Sequence, residues 1–225
     1  MHIPDGFLNN NLAGGMLTGS VCMLGYCFGK VLKAIPVSSQ ILATNCGNTT
    51  LKQDSLLLSK NSRQTFLNLA FIGSWIFAFQ MFNVPIQSAT SAHFIGGVFA
   101  AILVGPFFGF IIMSSVLTVQ ALFFSDGGLL ALGANIFNMA LVGCFLSYYV
   151  YKFIKKFNYV LATFIACLFS VMCASILCLT ELSLSNNIIF SQVAKYMLNI
   201  HLGVSFLEAI ITLVSVKVFN GDINE

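Results

Sequence analysis

Charged side chains are scarce in this sequence. Only 8% of its 225 residues are Asp, Glu, Lys or Arg, whereas 58% are hydrophobic, and the mean hydropathy is +0.91. Soluble domains carry about 25% charged residues, so this composition excludes an ordinary soluble fold. The formal net charge of +3 is too small on such an apolar chain to indicate nucleic-acid binding. The sequence is that of a polytopic membrane protein.

Several short motifs are also missing. There is no HExxH metalloprotease motif and no GxxxxGK[ST] phosphate loop, so the chain is not expected to hydrolyse ATP itself. No CxxC pair occurs among the seven cysteines, which we interpret as small packing residues. The amino terminus lacks the positive charge of a signal peptide, because the first lysine is Lys30, beyond the first apolar run. We therefore expect this terminus to be retained.

Charge-free stretches of about 17 to 25 residues predict membrane helices. A shorter stretch begins near Thr90, and the uncharged run from 64 to 125 is broken at Pro85 and at Gly105-Pro106, which predicts three helices there, one of them short. The sequence therefore predicts an all-α fold with about seven membrane helices. The longer stretches are 12–30, 65–82, 107–124, 130–151, 159–181 and 200–219.

The basic residues predict the orientation. Loops rich in Lys and Arg stay on the cytoplasmic side, and an external amino terminus leaves only Lys195 outside. The basic residues then placed inside are Lys30, Lys33, Lys52, Lys60, Arg63, Lys152, Lys155, Lys156 and Lys217. We expect a single integral domain over 1–225 in the inner (plasma) membrane, with residues 1–11 external, a cytoplasmic connector at 36–62 and a cytoplasmic carboxyl terminus.

The first two residues form a possible metal chelate. The α-amine of Met1, the amide nitrogen of His2 and its imidazole can close rings on one ion. The amine has a pKa of about 7.7 to 8.0 and so becomes a ligand near neutral pH. Nitrogen donors in one plane suit Ni(II) or Cu(II), and Co(II) less selectively. In an arbitrary sequence, a histidine at this position is more often an interfacial polar residue.

His93, in SATSAHFIGG, falls on the same side of the membrane in the predicted topology. We place it at the start of the short helix, whose positive end favours a neutral imidazole that could bind the metal as a fourth ligand. Ser88, Thr90 and Ser91 could cap this helix or orient the ring. Spacing alone supports a plain polar cap equally well.

Three other ionisable residues lie near predicted helices. We interpret His201 as interfacial, and we expect Glu208 to pair inside the bundle with a polar neighbour such as Gln120 or Asn138. We expect Asp126, which two glycines follow, to lie in an external turn and to act as a cap.

Three blocks of sequence resemble the CbiM/NikM family, the substrate-binding membrane subunits of cobalt and nickel energy-coupling-factor transporters. The blocks are MHIPDGFL, TSAHFIGGVFAAILVGPFFG and VQALFFSDGGLLALGANIFNMALVG. The resemblance implies seven helices, with the external amino terminus inserted into its own bundle. It also implies a near-planar set of four nitrogens: the Met1 amine, the His2 amide and imidazole, and the His93 imidazole. Nothing should then precede Met1 in the working protein.

The resemblance further implies partners. These are a second membrane subunit that couples the complex and cytoplasmic ATPases that supply energy. Some relatives also use a small accessory membrane subunit; because the sequence stops at Glu225, soon after its last helix, we expect that subunit, if used, to be a separate chain. The expected function is capture of Ni(II) or Co(II) outside the cell for ATP-driven import, with no organic cofactor. The donor atoms do not separate nickel from cobalt.

Two other classes of function fit parts of the sequence. The first is an intramembrane zinc metalloenzyme that uses His93, His201 and Glu208, which leaves His2 without a role. In such an enzyme His201→Ala would impair activity, whereas His201→Ala should matter little if Met1, His2 and His93 capture the metal. A channel needs weak sites, which a tight nitrogen chelate does not provide.

Overall fold

The computed structural model describes residues 2–34, 51–86, 90–185 and 190–220, which are mostly helical. Within these ranges, seven α-helices and one two-stranded sheet follow one another. Their bounds are α1 Asn10–Ala34, α2 Leu51–Gln80, β1 Val84–Ile86, β2 Thr90–Ala92, α3 Gly97–Val119, α4 Leu132–Ile136, α5 Ser147–Ile154, α6 Tyr159–Leu184 and α7 Phe190–Asn220. Wider π-helical turns at Gln120–Phe124 and Phe137–Leu146 continue α3 and join α4 to α5.

Five described stretches are long and apolar enough to cross a membrane. They are Asn10–Lys33, Gly97–Phe124, Leu132–Ile154, Tyr159–Leu184 and Val193–Phe219, with a shorter apolar helix at Thr65–Gln80. The multi-pass membrane protein expected from composition is confirmed. The number of membrane crossings and their orientation remain predictions.

One expectation about local structure is wrong. The chain before His93 forms an antiparallel pair of strands, with Val84 opposite Ala92 and Ile86 opposite Thr90, so the fold is not purely helical. β-branched residues favour this extended backbone, and the helix expected near Thr90 begins only at Gly97. The part of the expected connector (36–62) that the structure describes is helical from Leu51 onward, since its leucine, lysine and glutamine residues are good helix formers. Residues 35–50 lie outside the described ranges, and the cytoplasmic position of the connector remains a prediction.

Gly105 breaks α3 into two arms. Its φ of 82° and ψ of 164° lie far from helical values, and Pro106 follows it. A Cβ placed on Gly109 would lie 3.2 Å from the backbone nitrogen of Ala101. Residues eight apart in a straight helix are separated by about 12 Å. The chain therefore folds back at Gly105, at the break expected from Gly105-Pro106.

One face of α7 is polar and buried. His201, Ser205, Glu208, Thr212 and Ser215 are each no more than 2% exposed, and their spacing of three and four residues places them on one side of the helix. The apolar face carries exposed side chains instead, which suits contact with lipid. The bundle interior beside α6 therefore accepts polar groups, including two ionisable ones.

The bundle has two chemically different ends. The backbone N–H of Asn9, just before α1, donates to Ser185 Oγ, just after α6, at 3.1 Å. The start of α1, the end of α6 and the start of α7 therefore lie at one end, together with Lys195. The opposite end holds the other described lysines of the helix ends, which are Lys30, Lys33, Lys152, Lys155, Lys156 and Lys217.

Candidate metal centre

The segment before α1 is packed into the bundle. Ile3 is fully buried and belongs to a core cluster with Ala134, Leu179 and Met197. Its backbone N–H donates to Asn135 Oδ1 at 2.9 Å, and its carbonyl oxygen accepts from Asn135 Nδ2 at 3.1 Å and from the Gly128 N–H at 2.9 Å. The Asn135 amide therefore binds both main-chain groups of Ile3, as a neighbouring β-strand would.

A second anchor fixes the same segment. The carboxylate of Asp5 accepts hydrogen bonds from the backbone N–H groups of Leu129, at 3.1 Å, and Leu130, at 2.7 Å. These amides precede α4, where unpaired N–H groups favour a negative charge. The acidic turn of MHIPDGFL thus holds the amino terminus in place.

His2 lies directly beside the loop between α3 and α4. Its side chain is 4% exposed, and its Nδ1 lies 2.9 Å from the carbonyl oxygen of Asp126 and 3.6 Å from the Asp126 carboxylate. A carbonyl only accepts, so Nδ1 carries the proton and donates. Nε2 then has a free lone pair, and it is buried without a hydrogen-bond partner.

Gly127 permits this close approach. Its φ of +88° is a left-handed conformation that side chains disfavour. A Cβ at this position would lie 2.7 Å from His2 Nδ1 and 3.0 Å from Asn135 Nδ2. The chain turns after Asp126 as expected, and the turn also makes room for the imidazole. The capping role expected of Asp126 is not seen among the described residues, because its carboxylate accepts from Asn83 Nδ2 at 3.5 Å instead of from a helix amide.

His93 lies between β2 and α3 rather than at a helix start. It is 2% exposed, and its Nδ1 donates to the carbonyl oxygen of Phe94 at 2.7 Å. Its Nε2 is also buried without a hydrogen-bond partner. The helix begins after Gly96, which provides no side-chain cap; Ser88 lies outside the described residues, and Thr90 and Ser91 belong to β2.

The two histidines meet inside the protein. Their ring centroids are 4.6 Å apart and the rings are nearly perpendicular, at 71°. Burial lowers the pKa of His2 to about 4, and burial also lowers the pKa of His93 well below its ordinary 6.5. Both rings are therefore neutral at pH 7, which is the form that binds a metal ion.

The Nε2 atoms of His2 and His93 are both buried without a hydrogen-bond partner. An unpaired buried polar group costs about 1 to 3 kcal/mol, and native proteins keep such groups few. His2 and His93 bring two such nitrogens to one place, which suits a divalent cation of borderline softness. The other proposed ligand, Met1, lies outside the described residues. Among described residues, no group of three or more His, Cys, Asp and Glu side chains could hold a metal ion.

Two other candidates differ from expectation. His201 is fully buried rather than interfacial, with Nδ1 donating to the Met197 carbonyl oxygen at 2.7 Å and Nε2 without a partner. Ser205, Glu208 and Thr212 follow it at the spacing of one helix face, and this polar pattern in the sequence indicates that the face turns inward.

Glu208 does not pair with Gln120 or Asn138. Its two carboxylate oxygens accept from the backbone N–H groups of Ile95, at 2.8 Å, and Gly96, at 3.2 Å. Asn138 donates instead to Glu181, at 2.7 Å. Unpaired amides at the start of α3 are strong partners for a carboxylate, and sequence patterns do not reveal main-chain partners of this kind. With both oxygens bound to amides, Glu208 is not arranged as a zinc ligand.

Comparison with known proteins identifies similar chains. The family described as CbiM, the cobalt uptake substrate-specific transmembrane region, matches residues 2–221. A protein of Archaeoglobus fulgidus named as a fused nickel transport protein, NikMN, is 38% identical over 187 residues, which are 83% of this chain and 54% of that protein. A cobalt transport protein, CbiM, of Thermosipho melanesiensis is 41% identical over 98 residues, or 44% of this chain and 42% of that one.

A solved structure is also similar. The crystal structure of a transition metal transporter aligns with a TM-score of 0.79 and 29% identity, covering 98% of this chain and 92% of that one. The present chain spans only about half the length of the Archaeoglobus relative. Within that limit, sequence and fold point to the same class of protein.

Proposed function

Because the chain belongs to the CbiM family of cobalt-uptake transmembrane proteins, we propose that it captures Ni(II) or Co(II) with Met1, His2 and His93. Its relatives are named as nickel and cobalt transport proteins, which supports metal transport as the general role and gives no support to a zinc enzyme. Capture takes place on the external side of the membrane in this scheme.

One observation carries this proposal. His2, next to the amino terminus, and His93, ninety-one positions later, meet in the protein interior, and each has a buried Nε2 without a partner. Packing alone does not require two imidazoles in contact. A metal ion would bind the free Nε2 of His93 directly and offset the cost of burying it, and it would bind the imidazole of His2 once that ring has turned.

The chelate imposes a change on His2. A ring that contains the metal, the His2 amide nitrogen and the imidazole has six members only if the metal binds Nδ1. In the present structure Nδ1 donates to the Asp126 carbonyl oxygen. We therefore propose that the imidazole turns about its Cβ–Cγ bond as the metal binds, that its proton leaves Nδ1 while Nε2 takes one up from solvent, and that the His2 amide releases its proton to solvent. His93 binds through Nε2 without moving its Nδ1 proton.

The energy for import would come from partner proteins. The sequence has no phosphate-binding loop, and we propose that a coupling membrane subunit and cytoplasmic ATPases assemble with this chain to move the ion inward. In some relatives a small accessory membrane subunit joins them, and it could join here. These assignments extend the family resemblance to this chain.

Equilibrium metal binding tests the proposal. Ni(II) and Co(II) affinities would be measured for the purified protein beginning at Met1 and for the same protein with one alanine added before Met1. The added residue moves the α-amine and changes no side chain of the bundle. We expect the addition to abolish tight binding, and His2→Ala and His93→Ala to weaken binding as well.

A matched control adds the alanine after Glu225 instead. This protein should bind as tightly as the unmodified chain, because the carboxyl terminus contributes no proposed ligand. Equal affinity for the two amino-terminal forms would show that the amine is not a ligand and would overturn the proposed site.

A further inference from the structure

Each proposed metal-binding histidine is followed by a main-chain segment that a buried polar side chain holds. After His2, Asn135 binds both the N–H and the carbonyl of Ile3, at 2.9 and 3.1 Å. After His93, Glu208 accepts from the N–H groups of Ile95 and Gly96, at 2.8 and 3.2 Å. The two arrangements are alike although Asn135 and Glu208 belong to different helices.

We propose that Asn135 and Glu208 are positioning residues of the metal centre, Asn135 for His2 and Glu208 for His93. The inference rests on the proposed function and adds two residues that touch no metal. Metal ligands are held in orientation by hydrogen-bonded neighbours, and losing such a neighbour typically costs about 10- to 100-fold in affinity. Here the neighbours act on the backbone next to each ligand.

Asn135 controls the chelating half of the site. In the proposed chelate, the amide nitrogen of His2 is itself a ligand, so the path of the main chain matters as much as the imidazole. Asn135 fixes the next residue at both of its polar groups, and a Cβ on Gly127 would lie only 3.0 Å from Asn135 Nδ2. The amide is therefore held from several sides and has little freedom to shift.

Glu208 controls the other half. His93 is connected to α3 through Phe94, Ile95 and Gly96, and a loop of this kind would otherwise be free to move. The Ile95 N–H is held by Glu208, and the Ile95 carbonyl oxygen accepts from Gln80 Nε2 at 2.6 Å. Glu208 is fully buried, so its hydrogen bonds do not compete with bulk water.

A second buried pair provides matched controls. Asn138 follows Asn135 by one turn of the same helical stretch, and it donates to Glu181 on α6 at 2.7 Å. Both side chains are buried, yet neither has a contact with the segments beside His2 or His93 among the hydrogen bonds of the described residues. Changes here should disturb packing as much as changes at Asn135 and Glu208.

The test compares four variants in the full chain: Glu208→Gln with Glu181→Gln, and Asn135→Ala with Asn138→Ala. Glutamine keeps the shape of glutamate, but its NH₂ group cannot accept from a backbone N–H, so one of the two hydrogen bonds is lost. We expect Glu208→Gln and Asn135→Ala to weaken Ni(II) binding by about 10- to 100-fold. The two controls should leave the affinity unchanged, with thermal unfolding of all four in detergent reporting their stability.

A double-variant comparison separates positioning from general damage. In a His93→Ala background, which retains the Met1 and His2 donors, Glu208→Gln should cause no further loss, because its effect passes through His93. Asn135→Ala should still weaken binding in that background. At saturating Ni(II), both positioning variants should also change the visible absorption of the planar ion, while the controls should not.

The results distinguish the two proposals. If the unmodified chain binds metal and the alanine addition abolishes binding, but Glu208→Gln and Asn135→Ala behave like their controls, the positioning inference is wrong and the proposed function stands. An equal loss from Glu208→Gln with and without His93 would also overturn it. If the unmodified chain does not bind Ni(II) or Co(II), the proposed function itself fails.

Discussion

At the scale of single residues, the histidines are defined by which nitrogen carries a proton. All three in the sequence donate from Nδ1 to a main-chain carbonyl oxygen: that of Asp126 for His2, that of Phe94 for His93 and that of Met197 for His201. In each of the three rings, Nε2 therefore has a free lone pair and no hydrogen-bond partner. The proposed chelate requires only His2 to change this pattern.

We predict that Ni(II) moves the proton of His2 from Nδ1 to Nε2. Because burial lowers the pKa of His2 to about 4, below its ordinary 6.5, the ring is neutral at pH 7 and charges only as the pH falls toward 4. Planar Ni(II) is diamagnetic, so nitrogen-15 NMR of histidine-labelled protein can follow all three rings before and after loading. His93 should keep its proton on Nδ1, and His201 serves as an internal control.

Retention of the Nδ1 proton on His2 in the loaded protein would contradict this prediction. In that case Nε2 would bind the metal, the six-membered chelate with the His2 amide would not form, and the role of Met1 would have to be reconsidered.

We also predict that Gly127→Ala weakens metal binding. The new Cβ would lie 2.7 Å from His2 Nδ1, closer than such atoms normally approach, and the φ of +88° disfavours any side chain. We expect at least a 10-fold loss of Ni(II) affinity, in line with the cost of displacing a ligand's neighbours, measured by competition with a soluble chelator.

Gly128→Ala is not a suitable control for that variant, because a Cβ there would collide with Asp5. Gly203→Ala on α7 is better, since nothing lies within 4 Å of its Cβ position. Unchanged affinity in Gly127→Ala would mean that the loop yields without moving His2.

The sequence predicts the site's histidines better than their surroundings. His2 is recognisable as a candidate ligand because the terminal amine, its own amide nitrogen and its imidazole are adjacent in the sequence and can chelate one ion. Asn135 and Glu208 are not recognisable, because their partners are backbone groups of Ile3, Ile95 and Gly96, and every residue has such groups. Only the fold brings them together.

At the scale of elements, the break at Gly105 decides how α3 contributes to the bundle. Residues 97–124 form one continuous apolar stretch by length and composition. The backbone at Gly105 is not helical, however, and the second arm of α3 folds back along the first. The glycine and proline are visible in the sequence and predict the break. The strands at 84–86 and 90–92 are not predicted, because three-residue strands carry too short a pattern to distinguish from a loop.

We predict that Gly105→Ala destabilises the protein. A φ of 82° with a ψ of 164° is open almost only to glycine, and such backbone strain costs about 1 to 3 kcal/mol. Nothing lies within 4 Å of the Cβ position, so the cost arises from the backbone rather than from a collision. Thermal unfolding in detergent, followed by circular dichroism, should show a lower midpoint.

Gly25→Ala on α1 is the matched control. Its Cβ also meets nothing within 4 Å, but its backbone is helical, where alanine is favoured over glycine by about 0.5 to 1 kcal/mol. Its midpoint should stay the same or rise. A fall of equal size in both variants would indicate that alanine perturbs the protein for a reason unrelated to φ.

At the scale of the whole molecule, the proposed metal centre and most of the described lysines at helix ends lie at opposite ends of the bundle. His2 and His93 are at the end where α1 starts and α6 finishes, as the contact of Asn9 with Ser185 shows. Lys155, after α5, belongs to the other end, and Lys195 is near the start of α7. Because positive residues stay in the cytoplasm, this separation predicts that the metal centre faces outward.

Cysteine labelling in intact cells tests this orientation. In a background with all seven native cysteines replaced by alanine, Lys195→Cys and Lys155→Cys each place one thiol at an exposed position. A membrane-impermeant maleimide should label Lys195→Cys directly and Lys155→Cys only after the membrane is opened. The reverse pattern would place His2 and His93 at the cytoplasmic face, where the same nitrogen donors would meet the metal after transport instead of capturing it before.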